Sequence, residues 1–270
     1  MKVNVLDVSN SKVGEIQLPP QFNEEIRPDL VLRAVLVIQS NRRQPYGAAP
    51  EAGKRYSAKL SRRRRKYKTS YGIGISRVPR KIMSRSGTKF NWVGALAPGT
   101  VGGRQAHPPK PYKIWDKKIN TKERLKAIRS AISATMKREI VAERGHNVPE
   151  TFPFIIDDKF EQIQKTRDVV NALSSLGFGQ ELERVKIKKI RAGKGKSRGR
   201  RYQRKKSILI IAAQNSNIMK SASNIPGIDI VNVKNLNAEL LAPGAKIGRL
   251  TLWTRGAIEL MQKEKLFSQK

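Results

Sequence analysis

Six cations stand within seven positions at Arg62-Arg63-Arg64-Arg65-Lys66 and Lys68. Such groups cannot neutralise one another. Their chemistry is capture of phosphate oxygens, with arginine adding bidentate contacts and stacking on bases. Runs of like charge are more often solvated faces or localisation signals; the Gly, Pro and aromatic residues around this one favour phosphate binding. A second run, Ile190-Arg191-Ala192-Gly193-Lys194-Gly195-Lys196-Ser197-Arg198-Gly199-Arg200-Arg201, interleaves cations with small residues that let a backbone approach a sugar-phosphate chain. Its Gly195-Lys196-Ser197 invites a phosphate-loop reading. That motif needs a glycine five positions earlier, where Ile190 stands, and it should follow a strand, whereas this run precedes one.

Other chemistry is poorly supported. His107 and His146 are the only histidines, one in a Pro-rich loop and one just past an expected helix end, so no His cluster can hold a metal. Asp157-Asp158 reads as a charged turn rather than a magnesium site. No serine lies in a Gly-x-Ser-x-Gly elbow. With no cysteine, disulfide scaffolds, thiol catalysis and zinc ribbons are excluded. No catalytic residue, metal or cofactor is expected.

The chain has 270 residues and a net charge of +35, from 56 Lys plus Arg against 21 Asp plus Glu. Residues 41–113 carry 19 cations and one acid, Glu51, and residues 184–206 carry 13 cations and no acid. The other 174 residues hold 24 cations and 20 acids, the balance of an ordinary globular protein. Two cationic extensions on a folded body are expected, with nucleic acid as the partner. The N-terminal MKVNVLDVSN has no apolar core of a secretory signal, and the longest apolar run, 208–213, is too short to span a bilayer. A soluble, intracellular protein is expected.

Residues 41–113 show no sustained apolar period. Their nine glycines and seven prolines break any long helix or central strand. Eight of the 16 aromatics also lie between Asn41 and Trp115, which is rich for a disordered tail. A segment that becomes ordered on its partner is expected, with Trp115 either a stacking platform or an anchor at its foot.

The remainder alternates helical and strand patterns. A helix opens at Pro28-Asp29 with Leu30, Ala34, Val35 and Ile38 on one side. Another is expected over 121–144, capped by Thr121, striped by Leu125, Ile128, Ile132, Met136 and Ile140, and stopped at Gly145. Strands are expected at 152–156, 207–213, 228–233 and 249–253. Helices are expected at 161–176, ending at Gly177, after Asn215 as a cap, and from a Thr254 cap through Met261. The fold class is α/β, an open mostly parallel sheet with flanking helices plus a long extended basic loop inserted near the N-terminus. The expected organisation is one globular body of residues 1–40 and 114–270, the loop 41–113, and the basic segment 184–206 within the body.

Spread along the chain are Arg27-Pro28-Asp29, Asn41-Arg42-Arg43-Gln44-Pro45-Tyr46, Arg77-Val78-Pro79-Arg80, Gly102-Gly103-Arg104 and Pro108-Pro109-Lys110. They continue with Trp115, Lys118-Ile119-Asn120, the 190–196 run, Asn224-Ile225-Pro226-Gly227, and residues 236–244 and 248–254. In these motifs the chain resembles the universal large-subunit ribosomal protein number four family, in its archaeal and eukaryotic form. The long basic C-terminal extension of eukaryotic members does not follow Lys270, so an archaeal-type member is expected.

The resemblance implies a structural protein, not an enzyme, cytoplasmic in the ribosome and without membrane contact. Its partners would be large-subunit rRNA, neighbouring large-subunit ribosomal proteins, and the nascent peptide at the exit-tunnel constriction. The expected rRNA-binding residues of the loop are Arg42, Arg43, Lys54, Arg55, Arg62, Arg63, Arg64, Arg65, Lys66, Lys68, Arg77, Arg80, Lys81, Arg85, Lys89, Trp92, Arg104, Lys110 and Lys113. Those of the second segment are Arg191, Lys194, Lys196, Arg198, Arg200 and Arg201. The tunnel tip implied by the resemblance comprises Ile73, Arg77, Val78, Pro79 and Arg80, although 82–90 departs from the Gly-rich spelling of eukaryotic members. An extraribosomal RNA regulator and an RNA-modifying or nucleotide-using α/β enzyme stay open as rival readings.

Overall fold

The computed structural model describes residues 1–214 and 216–268. In chain order, β1 (Lys2–Leu6) and β2 (Lys12–Gln17) precede α1 (Pro28–Asn41). Next come β3 (Arg80–Ser86), β4 (Lys89–Gly94), α2 (Thr121–Thr135) and α3 (Arg138–Glu143). They are followed by β5 (Ile155–Ile156), α4 (Thr166–Leu173), α5 (Gly179–Lys186), β6 (Lys189–Ile190) and β7 (Tyr202–Gln203). The chain then forms β8 (Leu209–Ala212), α6 (Ile218–Ser221), β9 (Asp229–Asn232), α7 (Ala238–Leu241), β10 (Thr251–Thr254) and α8 (Arg255–Lys263). Its contacts divide it into two compact units, Met1–Arg42 with Asp116–Lys270, and Arg43–Trp115.

The first unit is α/β. Its sheet runs β2-β1-β5-β10-β8-β9, and every pairing is parallel except β1 with β2. Helices cover both faces, so inner strands can be apolar at every position. Leu209 and Ile211 point into one core with Val35 of α1, Ile132 of α2 and Ile258 of α8. Ile208, Ile210 and Ala212 point into the other with Val169 and Leu173 of α4. This period-two sorting is what a strand does to a continuous apolar run. Trp253, fully buried on the central strand, packs edge-on against Phe22 with ring centroids 5.0 Å apart.

The structure departs from the sequence expectations at several joints. The helix expected over 121–144 is two. Asn120, not Thr121, is the cap, and Lys137 at φ −88°, ψ 107° separates α2 from α3. The stripe continues through Ile140, yet the buried residue of α3 is Val141, which packs in the opposite core. Of 152–156 only the last two residues pair; Pro153 lacks an N–H, and the Phe152 amide donates back to Pro149. The helix expected from Glu161 begins at Thr166, because 158–162 form a 3-10 turn and Ile163 and Lys165 are extended, at ψ 123° and 134°; the Glu161 carboxylate accepts from the Ala213 amide at 2.9 Å. Gly177 takes positive φ, as a stop should, but α5 restarts two residues later. Thr254 caps α8 as expected, its hydroxyl accepting from the Ala257 amide at 3.3 Å. The proposed Asn215 cap lies outside the described residues.

Trp253→Ala should cost about 3–5 kcal/mol, since the indole fills the middle of the sheet layer. Urea unfolding followed by circular dichroism would measure it, and a loss under about 1 kcal/mol would place the core's main support elsewhere.

Candidate nucleic-acid interface

In the first unit several acids hold a cation. Glu24 takes Arg129 at 2.6 Å, Glu123 takes Arg33 at 2.9 Å, and Asp229 takes both Arg249 at 2.6 Å and Lys206 at 2.8 Å. The 24 cations expected to bind RNA behave differently. Among the described residues only Arg42 has an acid partner, Glu239 at 2.7 Å, and none of the 24 is buried. Lys68, Arg80, Lys81, Arg104 and Arg191 are half-buried; the others are exposed.

Within Arg43–Trp115 the organising element is the β3–β4 hairpin, where a structureless stretch is expected from Gly and Pro content. Ser86 pairs with Lys89 across a two-residue turn whose Gly87 has φ +56°, a geometry that matches strand twist. The signal was present in the sequence: an apolar-polar alternation over 89–92 after a Gly-Thr turn. Phe90 and Trp92 share one face of β4, with ring centroids 5.1 Å apart. Lacking acids, the cations lie over rings. Arg77 sits 4.5 Å from the Tyr71 ring, Lys81 4.1 Å from Tyr56, Arg80 5.8 Å from Trp92, and Lys110 5.5 Å from Tyr112. Such a contact leaves the cation its full charge. Arg62 to Lys66 line an exposed turn, in which the Thr69 hydroxyl donates to the Arg63 carbonyl at 2.7 Å.

Ile73, Arg77, Val78, Pro79 and Arg80 lead into the hairpin from its open end. Pro79 accepts from the Ala95 amide at 2.8 Å, and Arg80 donates to Ser76. Arg85 donates to the Tyr67 hydroxyl at 3.0 Å. Lys54, Arg55, Lys89 and Arg104 make no ion pair among the described residues. At the unit's two ends, Arg43 lies 3.6 Å from the Trp115 ring, Lys113 lies 4.5 Å from it, and Tyr46 stacks on it at 6.0 Å. Trp115 is thus an anchor as well as an aromatic surface. Just outside, Asn41 exchanges two hydrogen bonds with the Lys117 backbone, at 2.8 and 3.2 Å, as a neighbouring strand would.

The second segment is a short finger rather than a loose run. β6 pairs antiparallel with β7, and Lys194, Lys196 and Arg198 lie on a single 3-10 turn between Gly193 and Gly199, both at positive φ. Arg191 donates to the Arg200 carbonyl, and Arg201 lies 5.5 Å from the Tyr202 ring. Ser197 donates to the Lys194 carbonyl, so Gly195-Lys196-Ser197 is not a phosphate loop opening a long helix.

The finger's base depends on a side chain that sequence reasoning missed. Glu181 of α5 is fully buried. It accepts from Arg184 at 2.6 and 2.7 Å, from the Ser207 hydroxyl at 2.9 Å, from the Asn147 amide at 3.0 Å, and from His146 Nδ1 at 2.8 Å. Arg184 also donates to the Lys206 carbonyl at 3.0 Å, which clasps both ends of the segment. Burial alone would raise the carboxyl pKa; the hydrogen bonds from Arg184, His146 and Asn147 outweigh it and hold the value at about 2. Next to it, buried Arg249 reaches the Ser207 carbonyl at 2.9 Å and Asp229 at 2.6 Å. Gly227 has φ +76°, and a Cβ there would lie 2.7 Å from the Lys205 carbonyl oxygen. Only glycine fits that approach. Nothing in the spacing of Glu181 and His146 announced their pairing, which needs α5 packed beside the end of α3.

Asp158 accepts from the Gly256 amide at 2.6 Å, satisfying the start of α8. Among the described residues no group of His, Asp and Glu could hold a metal, and no helix is long and apolar enough to cross a membrane.

A sequence model of the Ribosomal protein L4/L1 family matches residues 16–264. The large ribosomal subunit protein uL4 of Nanoarchaeum equitans is 50% identical over 268 residues, 99% of this chain and all of that protein. The protein of the same name from Archaeoglobus fulgidus is 44% identical, covering 97% of this chain and 98% of its own length. That of Halobacterium salinarum is 44% identical, at 96% and 98%.

A folded-state carboxyl held below its ordinary value contributes stability above pH 4.5 that is lost as pH falls towards 2. The depression amounts to roughly 3 kcal/mol. Glu181→Gln should therefore flatten the stability-pH curve between about pH 4.5 and 2. Acid titrations at fixed urea would show it, and parallel curves for the two proteins would remove Glu181 from the acid response.

Proposed function

The chain belongs to the Ribosomal protein L4/L1 family, and on that premise we propose that it is a structural constituent of the large ribosomal subunit. It binds large-subunit rRNA, supports assembly of the particle, and lines part of the nascent-peptide exit tunnel with the 43–115 unit. The observation that carries this reading is the concentration of cations without acid partners in two segments holding 32 cations and one acid, in a chain whose remainder holds 24 cations and 20 acids.

In this reading Arg62 to Lys66, Lys68, and Lys54 with Arg55 neutralise phosphates where RNA helices converge, releasing counterions. The 43–115 unit takes up an extended form as it threads into rRNA. Ile73, Arg77, Val78, Pro79 and Arg80 face the tunnel, a role supported by the family resemblance of the Arg77-Val78-Pro79-Arg80 motif. Lys194, Lys196, Arg198, Arg200 and Arg201 grip a second stretch of backbone from a finger whose base is fixed by Glu181. The particle is cytoplasmic, and other large-subunit proteins are its neighbours.

Washing purified ribosomes with graded salt tests the reading: the chain should stay in the large particle beyond the point where loosely held factors leave. Release with the first wash, or absence from the particle, would favour a regulator or an enzyme. Replacing Arg62, Arg63, Arg64 and Arg65 by alanine should weaken rRNA binding and reduce the slope of log affinity against log salt by about 3. An unchanged slope would assign that run to solvent.

A further inference from the structure

Three aromatic side chains of the second unit do not close on themselves. Tyr67, Phe90 and Trp92 form the wall of an open cleft of about 680 Å³, within the range of small-ligand sites. Phe90 meets Trp92 at 32° and Tyr67 at 70°, so the rings form a corner. Tyr67 is 55% exposed and Ile73, beside it, 54%. The corner is held in place. Trp92 sits opposite Ile82 in the ladder, and Arg85 donates to the Tyr67 hydroxyl at 3.0 Å.

The rim carries Arg65, Lys66, Lys68 and Lys89, and no acid lines the cleft. An open ring corner rimmed by cations, with Tyr67 exposed and Phe90 and Trp92 half-buried, fits a ligand that is flat, aromatic and flanked by negative charge. We propose that this cleft receives one unstacked nucleobase of single-stranded or looped RNA, with the neighbouring phosphates on the rim cations. The inference rests on the RNA-binding reading and adds to it a specific seat. The seat recognises a base chiefly by its face. No amide or carboxylate side chain lines it, the Thr69 hydroxyl is already engaged by the Arg63 carbonyl and the Tyr71 amide, and Thr88 is its one other hydroxyl apart from Tyr67. Every base has a face to stack, so binding is sequence-tolerant. An acidic peptide would satisfy the rim and leave the rings unfilled.

The full-length chain is titrated with labelled oligouridylate and oligoadenylate of roughly ten nucleotides, with inorganic polyphosphate as a polyanion without bases, and with oligoglutamate. Trp92→Ala should weaken both oligonucleotides about tenfold and leave polyphosphate unchanged, and Trp92→Phe should restore most of the loss. A 4-thiouridine oligonucleotide should crosslink to Tyr67, Phe90 or Trp92. Equal losses for oligonucleotide and polyphosphate, or no loss for either, would overturn the seat while RNA binding stands. A loss shared by oligoglutamate would reassign the cleft to an acidic protein. A wild-type chain that binds no oligonucleotide would remove the RNA-binding reading itself.

Discussion

The distribution of carboxylates governs this protein more than the number of its cations. Twenty of 21 acids lie outside the two basic segments, and those best placed, Glu24, Glu181 and Asp229, are each engaged by an arginine. The part whose charges nearly balance can therefore fold around two apolar cores. In the basic segments some cations stack on aromatic rings, which lowers no net charge. Repulsion within such a segment falls when an external polyanion supplies the counter-charge. The family relationship and the charge pattern thus point the same way by independent routes.

Both basic segments begin and end at well-determined places. At the first, the Asn41 amide completes two backbone hydrogen bonds with Lys117. At the second, a buried carboxylate gathers Arg184, Ser207 and His146. The first pair is exposed and the second set buried or part-buried, and both are made by residues outside the cationic tips. A long flexible insertion costs little once its ends are held, because closure entropy grows only with the logarithm of length. The tips are then free of any duty to the core.

Legibility in the sequence followed the length of the pattern. α1, α2 and α8 showed a clear apolar stripe, and Leu209 to Ala212 showed the continuous run of a strand covered on both sides. The edge pair β1–β2 was not anticipated, although Val3 and Val5 alternate with polar residues and Asn10 turns the chain at positive φ. The break at Lys137 has no local breaker, and across it the buried side chains pass from one core to the other, with Val141 in the second. The cations that lack acid partners could be picked out by composition alone. The Tyr67–Phe90–Trp92 corner could not, since it requires the register of a hairpin across a region rich in glycine and proline. Glu181 and His146 were equally hidden, being 35 positions apart and joined only by packing.

The strand order has a bearing on how the molecule comes into being. β10, which contributes Trp253, is wedged between β5 and β8, yet it is the last strand to leave the synthesising machinery. β1 meanwhile waits for β5, some 150 positions downstream. During translation most of the sheet thus lacks its keystone while the cationic stretches are already out, in the long-range pairing order that slows folding and exposes sticky surface. Newly made chains can therefore close the sheet only when the strand carrying Trp253 slots between β5 and β8.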